Sequence, residues 1–185
     1  QVFRHGTYGN DGDSGWNGFP GKNITVRIFK DHLAADGKKH TGIYVDVSGT
    51  GRRYFYKTPY PENGILIYAC GGYGGNGGNG TNGGEGRDGT AEKEPGAGGK
   101  GGDGGNGGEG GIGGEVEILV HPNVESVIPY IQVKNDGGQP GLGGIGGTGG
   151  MPGKPFGNQN EAPKGFDGKN GSNGNHGNKA PNPKL

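Results

Sequence analysis

Apolar residues are scarce in this chain. Of 185 residues, 26% are hydrophobic and 8% aromatic, about half the apolar share of an ordinary domain. A conventional side-chain core running the whole length is excluded on that count. Cysteine occurs once, at Cys70, so no disulfide can staple the chain to itself. An excess of one charge is missing too, since 18 basic and 18 acidic residues cancel. Nothing then draws the chain over long range to nucleic acid or to an anionic membrane. No apolar run approaches the roughly 20 residues of a membrane-spanning helix, which speaks against membrane insertion. No charged-then-apolar leader opens the chain. Its first residue is Gln1, as expected of a processed chain or a fragment. No segment carries a helical period or a capped helix, so no α-helix is expected.

Glycine takes the place of what is missing. It fills 51 of the 185 positions, where an average domain holds roughly 7%. Five runs place it at every third residue: 6–21, 71–89, 98–113, 138–153 and 165–177. A strict repeat of this kind decides architecture before other signals do. A flexible linker needs no register. Collagen keeps the period but fills the other positions with proline, and here prolines such as Pro20, Pro140 and Pro152 are few. A left-handed helix with three residues per turn and a rise of about 3.1 Å per residue fits the period. It has no internal hydrogen bonds, so its amides and carbonyls must find partners on neighbours. A bare glycine edge lets a neighbouring backbone approach, and Cα–H···O contacts add roughly 0.5–1 kcal/mol each. The expected result is a polyglycine-II bundle, whose core is backbone.

The second, third and fourth runs are rich in Gly-Gly-X, leaving two bare edges, and are expected at the centre. The first and fifth read Gly-X-Y and are expected outside. Runs one, three and five should point toward the β block, and two and four away from it. The structural glycines expected to matter most are Gly74, Gly77, Gly80, Gly101, Gly104, Gly107, Gly144 and Gly147.

The glycine runs resemble those of polyglycine-II bundle proteins, namely the snow-flea-type antifreeze proteins and the tail-fibre adhesins of T-even-like phages. The first resemblance implies ice binding by a face of small residues. This chain departs from it with charged substituents such as Glu85, Arg87 and Asp103, and with no cysteine pairs. The second implies receptor binding through loops at the bundle tip, a part that 90–95 and 154–164 would play.

Between the runs lies β sequence. Segments 23–29, 42–47, 53–57, 64–70, 114–121 and 130–134 alternate or are continuously apolar. Segment 64–70 reads as a central strand. The fold class expected is mostly irregular and β: a bundle of about five antiparallel polyglycine-II helices joined to a small antiparallel sheet or sandwich. The bundle takes 1–21, 71–114 and 137–177. The β module takes 22–70 and 115–136, and a tail takes 178–185.

Chemical motifs are few. The G-x-G-x-x-G pattern recurs without the strand-to-helix context that gives it meaning. "GGKGGD" opens like a calcium-binding β-roll repeat but has Gly105 where a large apolar residue belongs. His5, His32, His40, His121 and His176 share no metal-ligand spacing. Asp11 and Asp13 read as solvated substituents. No cofactor, metal or enzyme chemistry is expected.

Cys70 has two readings, a small buried side chain at the junction or an intermolecular disulfide. Asn23, Asn79 and Asn170 begin N-x-[ST] sequons and are candidate glycosylation sites. The aromatics Tyr44, Tyr54, Phe55, Tyr56, Tyr60 and Tyr68 read mainly as core, and segment 53–61, with Tyr54, Phe55, Tyr56 and Tyr60, is also a candidate interface.

These features lead to an extracellular or cell-surface structural protein. It would be a fibre subunit or rigid spacer that self-associates head-to-tail into a homopolymer. The alternatives are an adhesin for a cell-surface receptor or glycan, and an ice-binding protein.

Overall fold

Alternation of apolar and polar residues builds strands wherever the glycine period stops. The computed structural model describes residues 5–33, 35–49, 51–59 and 61–184. The chain is mostly irregular with β-sheets, and it divides into two compact units.

One unit comprises Phe19–Gly72, Gly111–Gly138 and His176–Leu185. It holds β1 (Ile24–Leu33), β2 (Lys39–Ser48), β3 (Tyr54–Thr58), β4 (Ile65–Tyr68), β5 (Val116–Val120) and β6 (Ile131–Lys134). All six expected segments therefore form strands. Two short 3-10 segments, Pro61–Asn63 and Pro122–Tyr130, are the helical turns among the described residues. The strands make two sheets, a four-stranded one in the order β3-β2-β1-β5 and a two-stranded one of β4 and β6. The expected antiparallel sheet is corrected to a mixed one. β1 pairs with β2, and β2 with β3, antiparallel. β5 lies parallel to β1, and β6 parallel to β4. Segment 64–70 is not a central strand either, for β4 has β6 as its one strand partner, and Leu66 and Tyr68 are exposed.

The side-chain core sits in this unit. Ile24, Val26 and Ile28 of β1 share a face with Val45 of β2 and with Val116 and Ile118 of β5. They pack with Ile65 and Ile67 of β4 and with Val124 and Val127 of the longer 3-10 segment. Each fully buried aliphatic side chain contributes roughly 1.5–3 kcal/mol. The tail closes an edge of its own sheet. Ile118 N donates to Lys184 O at 2.7 Å, Lys184 N donates to Val116 O at 3.1 Å, and Ala180 is buried. Covering an edge strand in this way blocks pairing with another chain.

The other unit comprises Gln1–Gly18, Tyr73–Gly110 and Gln139–Asn175. Apart from an isolated bridge between Thr90 and Lys93, its described residues form no ladder of the usual kind. Its five runs are tied side by side by backbone amides, almost all of glycine: one residue in three donates such a bond in runs one, four and five, and two in three through most of runs two and three. Gly9, Gly12 and Gly15 of the first run donate to Lys100, Asp103 and Asn106 of the third at 2.7–2.8 Å. Gly102, Gly105 and Gly108 of the third donate to Thr81, Gly78 and Gly75 of the second. Such bonds join the third run to the other four and the second run to the first, third and fourth. The register sets direction: partner numbers rise together between runs one and three, two and four, and three and five, and in opposite senses elsewhere. Runs one, three and five thus run in one sense and runs two and four in the other, the alternation expected from the sequence.

Candidate functional site

The eight glycines singled out from sequence each donate a lateral bond. Gly74, Gly77 and Gly80 of the second run donate to Gln139, Leu142 and Ile145 of the fourth at 2.8–2.9 Å. Gly101, Gly104 and Gly107 of the third donate to Phe166, Lys169 and Ser172 of the fifth at 2.8–2.9 Å. Gly144 and Gly147 donate back to Gly105 and Gly102 at 2.8 Å. At each of these positions a β-carbon would overlap a backbone carbonyl of an adjacent run; at Gly104 it is the carbonyl of Gly144. No larger residue fits without separating the runs.

In the fourth run backbone-to-backbone bonds account for one N–H in three, and asparagine and aspartate supply partners for the rest. Asn76, Asn79 and Asn82 stand three residues apart on the second run. Their Oδ1 atoms accept from the amides of Leu142, Ile145 and Thr148, each at 2.9 Å. From the other side, Asn173, Asn170 and Asp167 of the fifth run accept from Gly143, Gly146 and Gly149 at 2.8–3.0 Å. With the glycine bonds, every amide from Leu142 to Gly149 of the fourth run has a partner. A buried or crowded backbone without regular secondary structure needs such complete pairing. The same device joins the first run to the third through Asp11, Asn17 and Asn23, which accept from Asp103, Glu109 and Glu115. Sequence reading missed these ladders, although the signal was the three-residue spacing of Asn76, Asn79 and Asn82.

The ladders leave one exposed row of uncharged side chains. Leu142, Ile145 and Met151 are 60%, 64% and 58% exposed, and exposed Thr148 stands between them. Beside them lie Tyr73, Asn76, Asn79 and Asn82, also exposed. Charged substituents stand at Asp11, Lys100, Asp103, Glu109 and Lys169 on runs one, three and five, and at Glu85, Arg87 and Asp88 toward the end of run two, where Glu85 continues the spacing of Asn76, Asn79 and Asn82 beside Met151. The turns 90–95 and 154–164 are locked to each other by Gln159, whose Nε2 donates to Thr90 O at 2.6 Å and to Lys93 O at 2.9 Å. Phe156 stands 55% exposed there.

The sequons take part in this scheme. Asn23, Asn79 and Asn170 each spend Oδ1 on a neighbouring amide. The expected aromatic core is corrected: Tyr44 is buried, but Tyr54, Phe55, Tyr56 and Tyr68 are 40–61% exposed. Tyr60 lies outside the described residues. Tyr54 and Tyr56 face the same side with ring centroids 6.4 Å apart, while Phe55 faces the other and stacks on Tyr44 at 5.2 Å. Tyr56 borders an apolar cleft of about 330 Å³ between the sheets, with Val45, Val47, Ile65 and Ile67. The buried reading of Cys70 is also corrected: the residue is exposed, its thiol 3.4 Å from Lys134 O. Buried Asp46 accepts two bonds from Arg53, at 2.7 and 2.8 Å, and this holds its carboxyl below the ordinary range. Among the described residues no group of three or more His, Cys, Asp or Glu is placed to hold a metal ion. No described helix is long and apolar enough to cross a membrane.

Comparison with known protein families, curated proteins and solved structures gives no match to this chain.

At two ladder positions the acceptor is a carboxyl whose pKa is lowered. The amide of Lys169, then the ammonium of Lys100, holds the Asp103 carboxyl below its ordinary range, and the amide of Gly149, then Lys164, does the same for Asp167. A carboxyl with a lowered folded pKa stabilises the fold above its unfolded value of about 3.9, and the contribution is lost as pH falls through the folded value. An asparagine there keeps the acceptor and cannot titrate. The double variant Asp103→Asn, Asp167→Asn should therefore show a smaller drop in melting temperature than the parent between about pH 5 and pH 2. Equal drops in the two proteins would show that these acceptors carry no pH-linked stability.

Proposed function

We propose that the glycine unit is a bundle of five polyglycine-II helices and that the protein is an extracellular structural component. It acts as a fibre subunit or rigid surface spacer that self-associates head-to-tail. The observation that carries this reading is the complete pairing of the fourth run's amides from Leu142 to Gly149. Backbone bonded on three sides resists bending and stretching without a side-chain core. Rigidity is then a property of the repeat, and a protein built this way serves as a spacer or strut. The β unit, with exposed Tyr54, Phe55 and Tyr56, supplies the contact to the next copy. Electron microscopy across a concentration series tests the reading. Filaments with a regular axial repeat are expected, and discrete particles at every concentration would contradict the polymer.

A second reading, ice binding, gains from one observation. The exposed row around Leu142, Ile145, Thr148 and Met151 is uncharged and flanked by Asn76, Asn79 and Asn82. In polyglycine-II geometry its members recur at about 9 Å, three residues at about 3.1 Å each. Of the charges that separate this sequence from the antifreeze pattern, Asp103 lies off that row, while Glu85 borders it beside Met151 at one end. On this reading the protein depresses the freezing point below the melting point, and Ile145→Lys abolishes the gap while leaving thermal unfolding unchanged. A parent protein without such a gap removes the reading.

A further inference from the structure

Asparagine followed by glycine is the least durable dipeptide in an ordinary chain. Once the glycine nitrogen has given its proton to a solvent base, it bonds to the asparagine Cγ. The bond from Cγ to the side-chain nitrogen breaks, and ammonia leaves with a proton from water. Water then opens the resulting succinimide at one carbonyl or the other, giving aspartate or isoaspartate. Glycine speeds the ring closure because no side chain hinders its nitrogen. This chain places that dipeptide repeatedly in its glycine runs, at Asn76, Asn79, Asn82, Asn106, Asn170 and Asn173 among others, and once in the β unit, at Asn63.

We propose that the lateral hydrogen bonds hold the Asn-Gly pairs of the runs in an unreactive state, and that spontaneous deamidation begins at Asn63. Both reacting groups are held in the runs. The attacking nitrogen of Gly80 donates to Ile145 O at 2.9 Å, while the side-chain oxygen of Asn79 accepts from Ile145 N at 2.9 Å. Asn76 with Gly77 is held in the same double way by Leu142, and Asn82 with Gly83 by Thr148. Asn106 with Gly107 is held by Ser172, and Asn17 with Gly18 by Glu109. On the fifth run, Gly171 donates to Gly144 O and Asn170 accepts from Gly146 N. Gly174 and Asn173 are tied likewise to Gly141 and Gly143. Ring closure in any of these pairs must break two bonds to a neighbouring run, and at Gly77, Gly80, Gly83, Gly107, Gly171 and Gly174 it must also turn a backbone whose glycine is packed against a carbonyl.

Asn63 differs on each point. It ends a three-residue 3-10 turn, and both it and Gly64 are exposed. Gly64 has a φ of 101°, a β-carbon there would meet only Tyr130 O at 3.9 Å, and its amide makes one local bond, to Pro61 O at 3.0 Å. The Gly64 amide bond is internal to that turn, so freeing the nitrogen breaks no bond to a neighbouring run. The two products also differ in consequence. Aspartate in a run keeps the acceptor, as Asp88 and Asp103 already do for the amides of Lys154 and Lys169. Isoaspartate adds a backbone carbon and breaks the three-residue register, so protection preserves the lattice that provides it.

The test is a time course of the folded protein in warm, mildly alkaline buffer, read by peptide mapping for succinimide, aspartate and isoaspartate at every Asn-Gly pair. A parallel course runs in denaturant. In the folded protein, product should build up at Asn63 while the pairs of the runs lag by at least about tenfold, as protection against local opening requires. In denaturant the lag should vanish. Folded-state product at Asn79 or Asn106 as fast as at Asn63 would overturn the proposal. A lag that persists in denaturant would also overturn it, because sequence and not the lattice would then be protecting the pairs.

Discussion

A glycine amide meeting the carbonyl of the next run is the contact on which the glycine unit depends. It needs the backbones close enough that a single β-carbon between them would collide, as at Gly104 against Gly144. Glycine permits the approach and is also costly to order. Fixing a residue's backbone costs about 1–2 kcal/mol, and an intramolecular hydrogen bond returns a net of about 0.5–1.5 kcal/mol. In the fourth run, one such bond donated per three residues cannot offset that cost. The side-chain ladders change the balance, because Asn76, Asn79 and Asn82 on one side and Asn173, Asn170 and Asp167 on the other give the remaining amides of the fourth run their partners. Asparagine is thus as much a part of the repeat as glycine.

Register follows from the same contact. Asp11, Asn17 and Asn23 each reach an amide 92 residues further on, and β1 pairs with β5 at that separation, Ile24 opposite Val116. Asn76, Asn79 and Asn82 reach across 66 residues, and β4 meets β6 at 66, Ile65 opposite Ile131. Segments that pair in parallel in the glycine unit adjoin in the chain strands that pair in parallel in the β unit: runs one and three lead into β1 and β5, and β4 and β6 lead into runs two and four. Parallel strands need long connections, and here those connections are the glycine runs.

Much of this was legible in the sequence, and the failures have physical causes. The three-residue period located the runs, and the alternation of Ile24, Val26 and Ile28 located β1 and its core face. Strand direction was misread because alternation within 114–121 or 130–134 carries no information about which strand lies beside it. Partnership is set by runs some tens of residues away. Cys70 was open to a buried reading because it follows an apolar strand. Yet burial alternates through Ile65, Ile67 and Ala69, and the same period leaves Cys70 on the exposed side. The aromatics of β3 were read mainly as core on composition. β3 is an edge strand, so Tyr54 and Tyr56 overhang the core instead of filling it. The ladders escaped notice because an exposed asparagine reads as solvated until the amide it serves is known.

Hydrogen exchange, followed residue by residue along the fourth run, tests the central claim most directly. Amides of Leu142, Ile145 and Thr148, which only a side-chain oxygen protects, should exchange as slowly as those of Gly144 and Gly147, which a backbone carbonyl protects, because both sets open only when the runs separate. Exchange at the rates of an unstructured glycine-rich chain at all of these positions would contradict a lattice held together by its backbone.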